Sequence, residues 1–142
     1  MILLMAFLLG LFGMEGVAYA THKWIMHGPL WILHASHHRD RRGFFEANDL
    51  FGVFFSLPSI ALIALGVQGH PEFLGLGLGM AAYGASYLFI HDMLTHKRFG
   101  SLPLPRHPYL LRLVQAHRIH HSRDEKDGTR NFGFLWAKKK PY

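Results

Sequence analysis

Three stretches of the chain are apolar almost without interruption, and none shows the polar face of an amphipathic surface helix. Met1 to Tyr19 carries Glu15 as its one charged side chain, while Leu50 to Val67 and Phe73 to Ile90 carry none. Runs of about 18–20 apolar residues are long enough for a helix to cross roughly 30 Å of hydrocarbon. The pattern predicts an all-α integral membrane protein with three long transmembrane helices, over about residues 2–21, 50–67 and 73–95. The polar segments 22–49 and 96–142 are predicted to hold short interfacial helices from Leu30 to His38 and from Tyr109 to His121. Gly28-Pro29, Gln68-Gly69-His70-Pro71 and the proline-punctuated Leu102 to Pro108 mark the breaks, and Pro58 predicts a kink in the second span. At 142 residues the length fits one membrane-embedded domain over 1–142.

Ala18-Tyr19-Ala20 imitates a signal-peptidase site. No Lys or Arg precedes the apolar run, however, and cleavage there would leave His22 almost at a free terminus, so the run is read as a span. Charge then orients the chain. All fifteen Lys and Arg residues fall between Lys23 and Arg42 or between Lys97 and Lys140. The positive-inside rule puts both segments on the cytoplasmic side of the cell's inner membrane. The net charge of +6 therefore describes one face of the molecule. Lipid headgroups and an acidic protein partner suit that face better than nucleic acid does.

Histidine changes the picture most. Ten of the twelve histidines form two copies of one pattern, H-x4-H followed by H-x2-H-H. The first copy is His22, His27, His34, His37 and His38, and the second is His91, His96, His117, His120 and His121. His70 and His107 stand apart. Neutral imidazole offers one nitrogen to a metal while a neighbouring acceptor holds the other. On a helix, positions i, i+3 and i+4 share a face, so each triplet points one way. Five residues span about 140° of an α-helix, so each H-x4-H pair needs its helix to end or kink, as Gly28-Pro29 and Gly100 suggest. Ten imidazoles exceed what one ion accepts, and two ions with up to five nitrogens each would keep a position open. Imidazole alone leaves Zn, Cu, Fe and Ni as choices. The absence of cysteine excludes thiolate ligation within the chain.

Four carboxylates are candidate supports for the metals. Glu15 is costly inside a span and lies seven residues before His22, on nearly the same face. Glu46, Asp49 and Asp92 neighbour the histidine segments, although Asn48 or Asp49 also suits the N-cap of the second long helix. Gly10, Gly13, Gly16 and the pair Gly75 and Gly79 suit close helix packing, and Trp24 and Trp31 suit the headgroup level.

The histidine copies sit in distinctive surroundings: His-Lys-Trp-Ile-Met-His-Gly, Phe-Phe-Glu-Ala-Asn-Asp-Leu, Tyr-Leu-Phe-Ile-His-Asp-Met-Leu-Thr-His and Gln-Ala-His-Arg-Ile-His-His. From about Met14 to Leu135 the chain resembles the bacterial β-carotene hydroxylases, a branch of the membrane fatty acid hydroxylase and sterol desaturase superfamily. It departs from them in lacking a cysteine near Thr129-Arg130-Asn131. The resemblance implies a non-haem di-iron monooxygenase that uses O2 to hydroxylate C3 of β-ionone rings, taking β-carotene through β-cryptoxanthin to zeaxanthin. It implies electrons from a reduced ferredoxin-type donor, since no flavin or nicotinamide motif is present. It places the metals on the ten patterned histidines. Histidine spacing alone also fits a carotenoid ketolase, a fatty acid hydroxylase or a desaturase. Outside the superfamily, it fits a histidine-ligated haem protein or a metal-handling membrane protein.

Overall fold

The computed structural model describes residues 1–39, 43–100, 102–122, 126–127 and 130–137. The described part is all-helical. Helix α1 (Ile2–Ala20) runs directly into a π-helical turn (Thr21–Met26). A four-residue helix, α2 (Trp31–His34), follows, then α3 (Asp49–Gly66), α4 (Pro71–Tyr87), a second π-helical turn (Leu88–Thr95) and α5 (Pro108–His120). Three helical runs are long and apolar enough to cross a membrane: Ile2–Met26, Asp49–Gly66 and Pro71–Thr95. Their outer surfaces are apolar, with Phe12 65% and Phe54 66% exposed. Lipid is the solvent that such surfaces tolerate.

Helix α4 lies between α1 and α3 and packs on both. Glycine makes the first contact possible. A Cβ at Gly75 would stand 2.2 Å from the Leu3 carbonyl oxygen, and one at Gly79 2.2 Å from that of Phe7. From the other side, a Cβ at Gly10 would stand 2.4 Å from the Leu76 oxygen. Gly13 and Gly16 do not share this role, because nothing lies within 4 Å of a Cβ at either. Only the first glycine of that three-residue repeat faces α4. On the α3 side, Ser59 Oγ donates to the Gly77 carbonyl at 2.9 Å, which satisfies a buried hydroxyl inside the bundle. Proline at the first helical position starts both α4 and α5. Helix α5 rests on the second π-turn, and Ile90, Leu94, Leu113 and Val114 are buried there.

Candidate metal centre

Both H-x4-H pairs are reconciled by winding before any break in the helix. In the first π-turn the His27 N–H donates to the His22 carbonyl at 3.0 Å, and in the second the His96 N–H donates to the His91 carbonyl at 2.9 Å. An i→i+5 bond places residues five apart one above the other, where an α-helix would have turned them away from each other. Ring centroids are consequently 5.2 Å apart for His22 and His27, and 4.5 Å apart for His91 and His96. The turn around Gly28-Pro29 comes after this winding. The triplets arrive from α2 with the turn behind it, and from the last turn of α5.

The ten rings gather into two groups. His22, His27, His34, His38 and His120 each offer a nitrogen within 4.8 Å of all the others, and so do His37, His91, His96, His117 and His121. The groups do not follow the two copies of the pattern. His37 leaves the first copy to join the second group, and His120 makes the reverse exchange. In each triplet the i and i+4 rings stay with their own pair, while the i+3 ring crosses over. His70 and His107 belong to neither group, at the N-caps of α4 and α5.

Hydrogen bonding fixes which nitrogen faces inward. The Nδ1–H donates to the Phe132 carbonyl at 3.0 Å from His22, to Lys126 at 2.9 Å from His27 and to Arg130 at 2.8 Å from His120. From His34 it donates to Asn48 Oδ1 at 2.7 Å, from His37 to Glu46 Oε2 at 2.8 Å and from His91 to Asp92 Oδ1 at 2.7 Å. An acceptor at Nδ1 requires the proton there, so a neutral ring presents a bare lone pair at Nε2. Yet Nε2 faces Nε2 at 3.1 Å between His22 and His34, at 3.1 Å between His27 and His120 and at 2.9 Å between His37 and His91. Burial lowers the pKa of His27, His117 and His121, and takes His34 to about 2 and His120 to about 3, so protonation does not relieve the first two of these contacts. His121 Nε2 is buried without a hydrogen-bond partner among the described residues. Lone pairs converging at 3 Å suit cations between them, and the all-nitrogen donor set fits first-row metal ions.

The carboxylates serve differently. Glu46 and Asp92 orient ligand candidates directly. Among the described residues Asp49 makes no hydrogen bond to a histidine: it pairs with Arg98, with Nη1 2.7 Å from Oδ1 and Nη2 on Oδ2. The Asp49 carboxylate holds the Arg98 guanidinium above its ordinary pKa, and Arg98 Nη1 also lies 3.7 Å from Asp92 Oδ2. Asp49 Oδ2 takes the Glu46 N–H at 3.0 Å as well, fastening the segment that carries Glu46. Glu15 contacts no histidine ring and instead binds backbone of the C-terminal segment. Asn48 makes no side-chain cap, because its oxygen is committed to His34. The Trp31 ring packs 5.0 Å from His27 and 5.2 Å from His38, while Trp24 is 63% exposed. Sequence reasoning missed Arg98, Tyr87 and the hydrogen bond from His34 to Asn48. Tyr87 O–H lies 2.9 Å from His91 Nε2, with the two rings stacked.

An apolar cavity of about 600 Å³ runs among α1, α3 and α4 to these rings, lined by Met14, Phe51, Phe55, Ile60 and Leu88 and ending on His22, His34, His37, His91 and His117. A second, polar cavity of about 960 Å³ reaches His37, His38, His96 and His121 past Arg39 and Arg118.

A model of the fatty acid hydroxylase family matches residues 7–138. The chain belongs to the fatty acid hydroxylase family. Among fatty acid hydroxylase relatives, it is 46% identical over 132 residues to the β-carotene hydroxylase of Pseudescherichia vulneris, covering 93% of this chain and 75% of that one. With the β-carotene hydroxylase of Pantoea ananas it shares 49% over 125 residues, 88% of this chain and 71% of that one. The chloroplastic β-carotene 3-hydroxylase of Haematococcus lacustris is 48% identical over 120 residues, which cover 80% of this chain and 37% of the algal one. No solved structure matches the chain.

Proposed function

We propose that this chain is a β-carotene 3-hydroxylase acting as a single membrane-embedded unit over residues 1–142. The observation that carries the reading is an apolar cavity ending on two five-histidine groups, in a chain similar to bacterial enzymes named for this activity. A C40 polyene is soluble only in the bilayer, so it enters between the spans and presents one ring end to the histidines. The ten patterned histidines hold two non-haem irons. Bound iron supplies the oxidising power that no side chain has toward an unactivated C–H bond. In the overall balance, O2 places one oxygen atom at C3 as hydroxyl, and the other leaves as water with two protons and two electrons from a ferredoxin-type donor. The protein's own work is placement. Phe51, Phe55 and Leu88 surround the ring end and keep water away from it, and the Nδ1 acceptors keep each imidazole aimed. Positive charge on the polar segments supports a site on the cytoplasmic side of the inner membrane, where a soluble donor reaches it.

Expression in a bacterium that accumulates β-carotene tests this. Singly and then doubly hydroxylated carotene should form, with oxygen incorporated from 18O2. Keto products without hydroxyls, or unchanged carotene beside hydroxylated fatty acids, would overturn the assignment.

A further inference from the structure

Glu15 is a carboxylate inside the first span, and four donors converge on it. Oε1 accepts the Phe134 N–H at 2.8 Å and the Trp136 N–H at 2.9 Å. Oε2 accepts the Leu135 N–H at 2.9 Å and the Tyr83 O–H at 2.8 Å. A charge placed at such depth is expensive unless it is fully bound, and three of its four partners are main chain of one C-terminal strap, residues 130–137. That strap is hung on α1 by this knot. Just before the knot, the strap presents Phe132 oxygen to His22 and Arg130 oxygen to His120. The Phe132 ring also lies 5.5 Å from His22 and 5.2 Å from both His27 and His120.

All three of those rings belong to one histidine group. In the group containing His22, the Nδ1 acceptors of four rings among the described residues are neutral: the carbonyls of Phe132, Lys126 and Arg130 and the amide of Asn48. The group containing His91 is aimed by carboxylates, Glu46 and Asp92. A carboxylate accepting the Nδ1 proton makes the opposite nitrogen a better donor than a neutral carbonyl does.

We infer that Glu15 is a positioning residue: it pins the strap whose carbonyls orient His22 and His120, and the ion held by their group is the one lost when the pin is removed. This rests on the metal reading above. It makes the two sites distinguishable in the native protein, one held by carboxylate-backed rings and one by a strap that a single side chain fastens.

The test uses the full-length protein in detergent, loaded with 57Fe(II). Wild type should hold two irons per chain and show two Mössbauer doublets of equal area with different splittings. Glu15→Gln keeps the size but turns one acceptor into a donor facing N–H groups. It should bind one of the two irons about 10–100-fold more weakly against a chelator, removing one doublet and leaving the other unchanged. Gly133→Ala disturbs the same knot from the strap side, since its Cβ would lie 2.9 Å from the Trp136 oxygen and 3.2 Å from Glu15 Oε1. It should remove the same doublet, and Glu15→Asp should recover part of it. Loss of both doublets together, or wild-type retention of both irons in Glu15→Gln and Gly133→Ala, overturns the inference. Wild-type protein that binds no iron would instead sink the metal reading itself, before any variant is compared.

Discussion

At Asn48 an amide oxygen 2.7 Å from His34 Nδ1 does a job that its place in front of a helix disguises. Replacing it with alanine leaves a buried imidazole N–H without its acceptor, which costs about 10–100-fold in metal affinity by analogy with other outer-sphere partners. Asn48→Ala should therefore lose iron to a chelator at a correspondingly lower concentration, and Asn48→Asp, which keeps the acceptor, should not. Acid should act on the same rings. Burial keeps His34 and His120 neutral down to about 2 and about 3, whereas the unfolded chain protonates them near 6.5. Below pH 6.5 the unfolded state thus binds more protons, and stability falls with pH by up to about 1.4 kcal/mol per unit for each ring, a loss that continues down to the folded values. The melting temperature of the metal-free protein should drop steadily between about pH 7 and pH 5, and a flat profile would contradict the burial argument. At this scale the histidines were legible because their spacing is written in the chain. Their acceptors were less so. The carbonyls of Lys126, Arg130 and Phe132 belong to the backbone, which has no residue signature, and the capping preference of Asn48 pointed to a different task.

The long helices follow from uncharged runs, and their packing follows from glycine. Gly79 has the Phe7 carbonyl oxygen 2.2 Å from where a Cβ would sit, and that obstacle is backbone that no side-chain rotation can clear. Gly79→Ala should destabilise the bundle by about 1–3 kcal/mol, the usual cost of overpacking. Gly13→Ala meets nothing within 4 Å and should be neutral or stabilising by up to about 1 kcal/mol, since alanine is the better helix former. Thermal unfolding in one detergent compares them directly. From the sequence alone the two positions look equivalent, because both are glycines suited to close helix packing; only the face each helix turns toward its neighbour separates them. The π-turns were half legible. Two metal-directed histidines five apart demand that the helix leave α geometry, and the sequence shows a convenient break after them. The chain instead widens its winding within the span, so His22 and His91 stay on continuous helices, where neighbouring turns hold them more rigidly than a loop would.

Across the whole molecule, the histidine groups lie where an apolar cavity from the spans meets a polar one from the charged segments, and His37 lines both. This division agrees with the reading of an oil-soluble substrate on one side and a water-soluble donor on the other. Gly84 lines the apolar cavity, and nothing stands within 4 Å of its missing side chain. Gly84→Leu should fill that space and lower carotene turnover more than tenfold (about 1.4 kcal/mol or more) while iron content stays at the wild-type level. Equal loss of iron would mean that the helix had shifted instead. The general architecture was readable from hydropathy and charge, whereas the cavity was not, because it is made by gaps between helices that no single segment encodes. The exchange of His37 and His120 carries a last implication. Neither the first half of the chain nor the second owns a complete group of five nitrogens, so an ion held by either group would join the two halves. Severed at the turn around Gly69, the pieces should still pair through α4 against α1 and α3, more weakly after chelation and more tightly when metal returns.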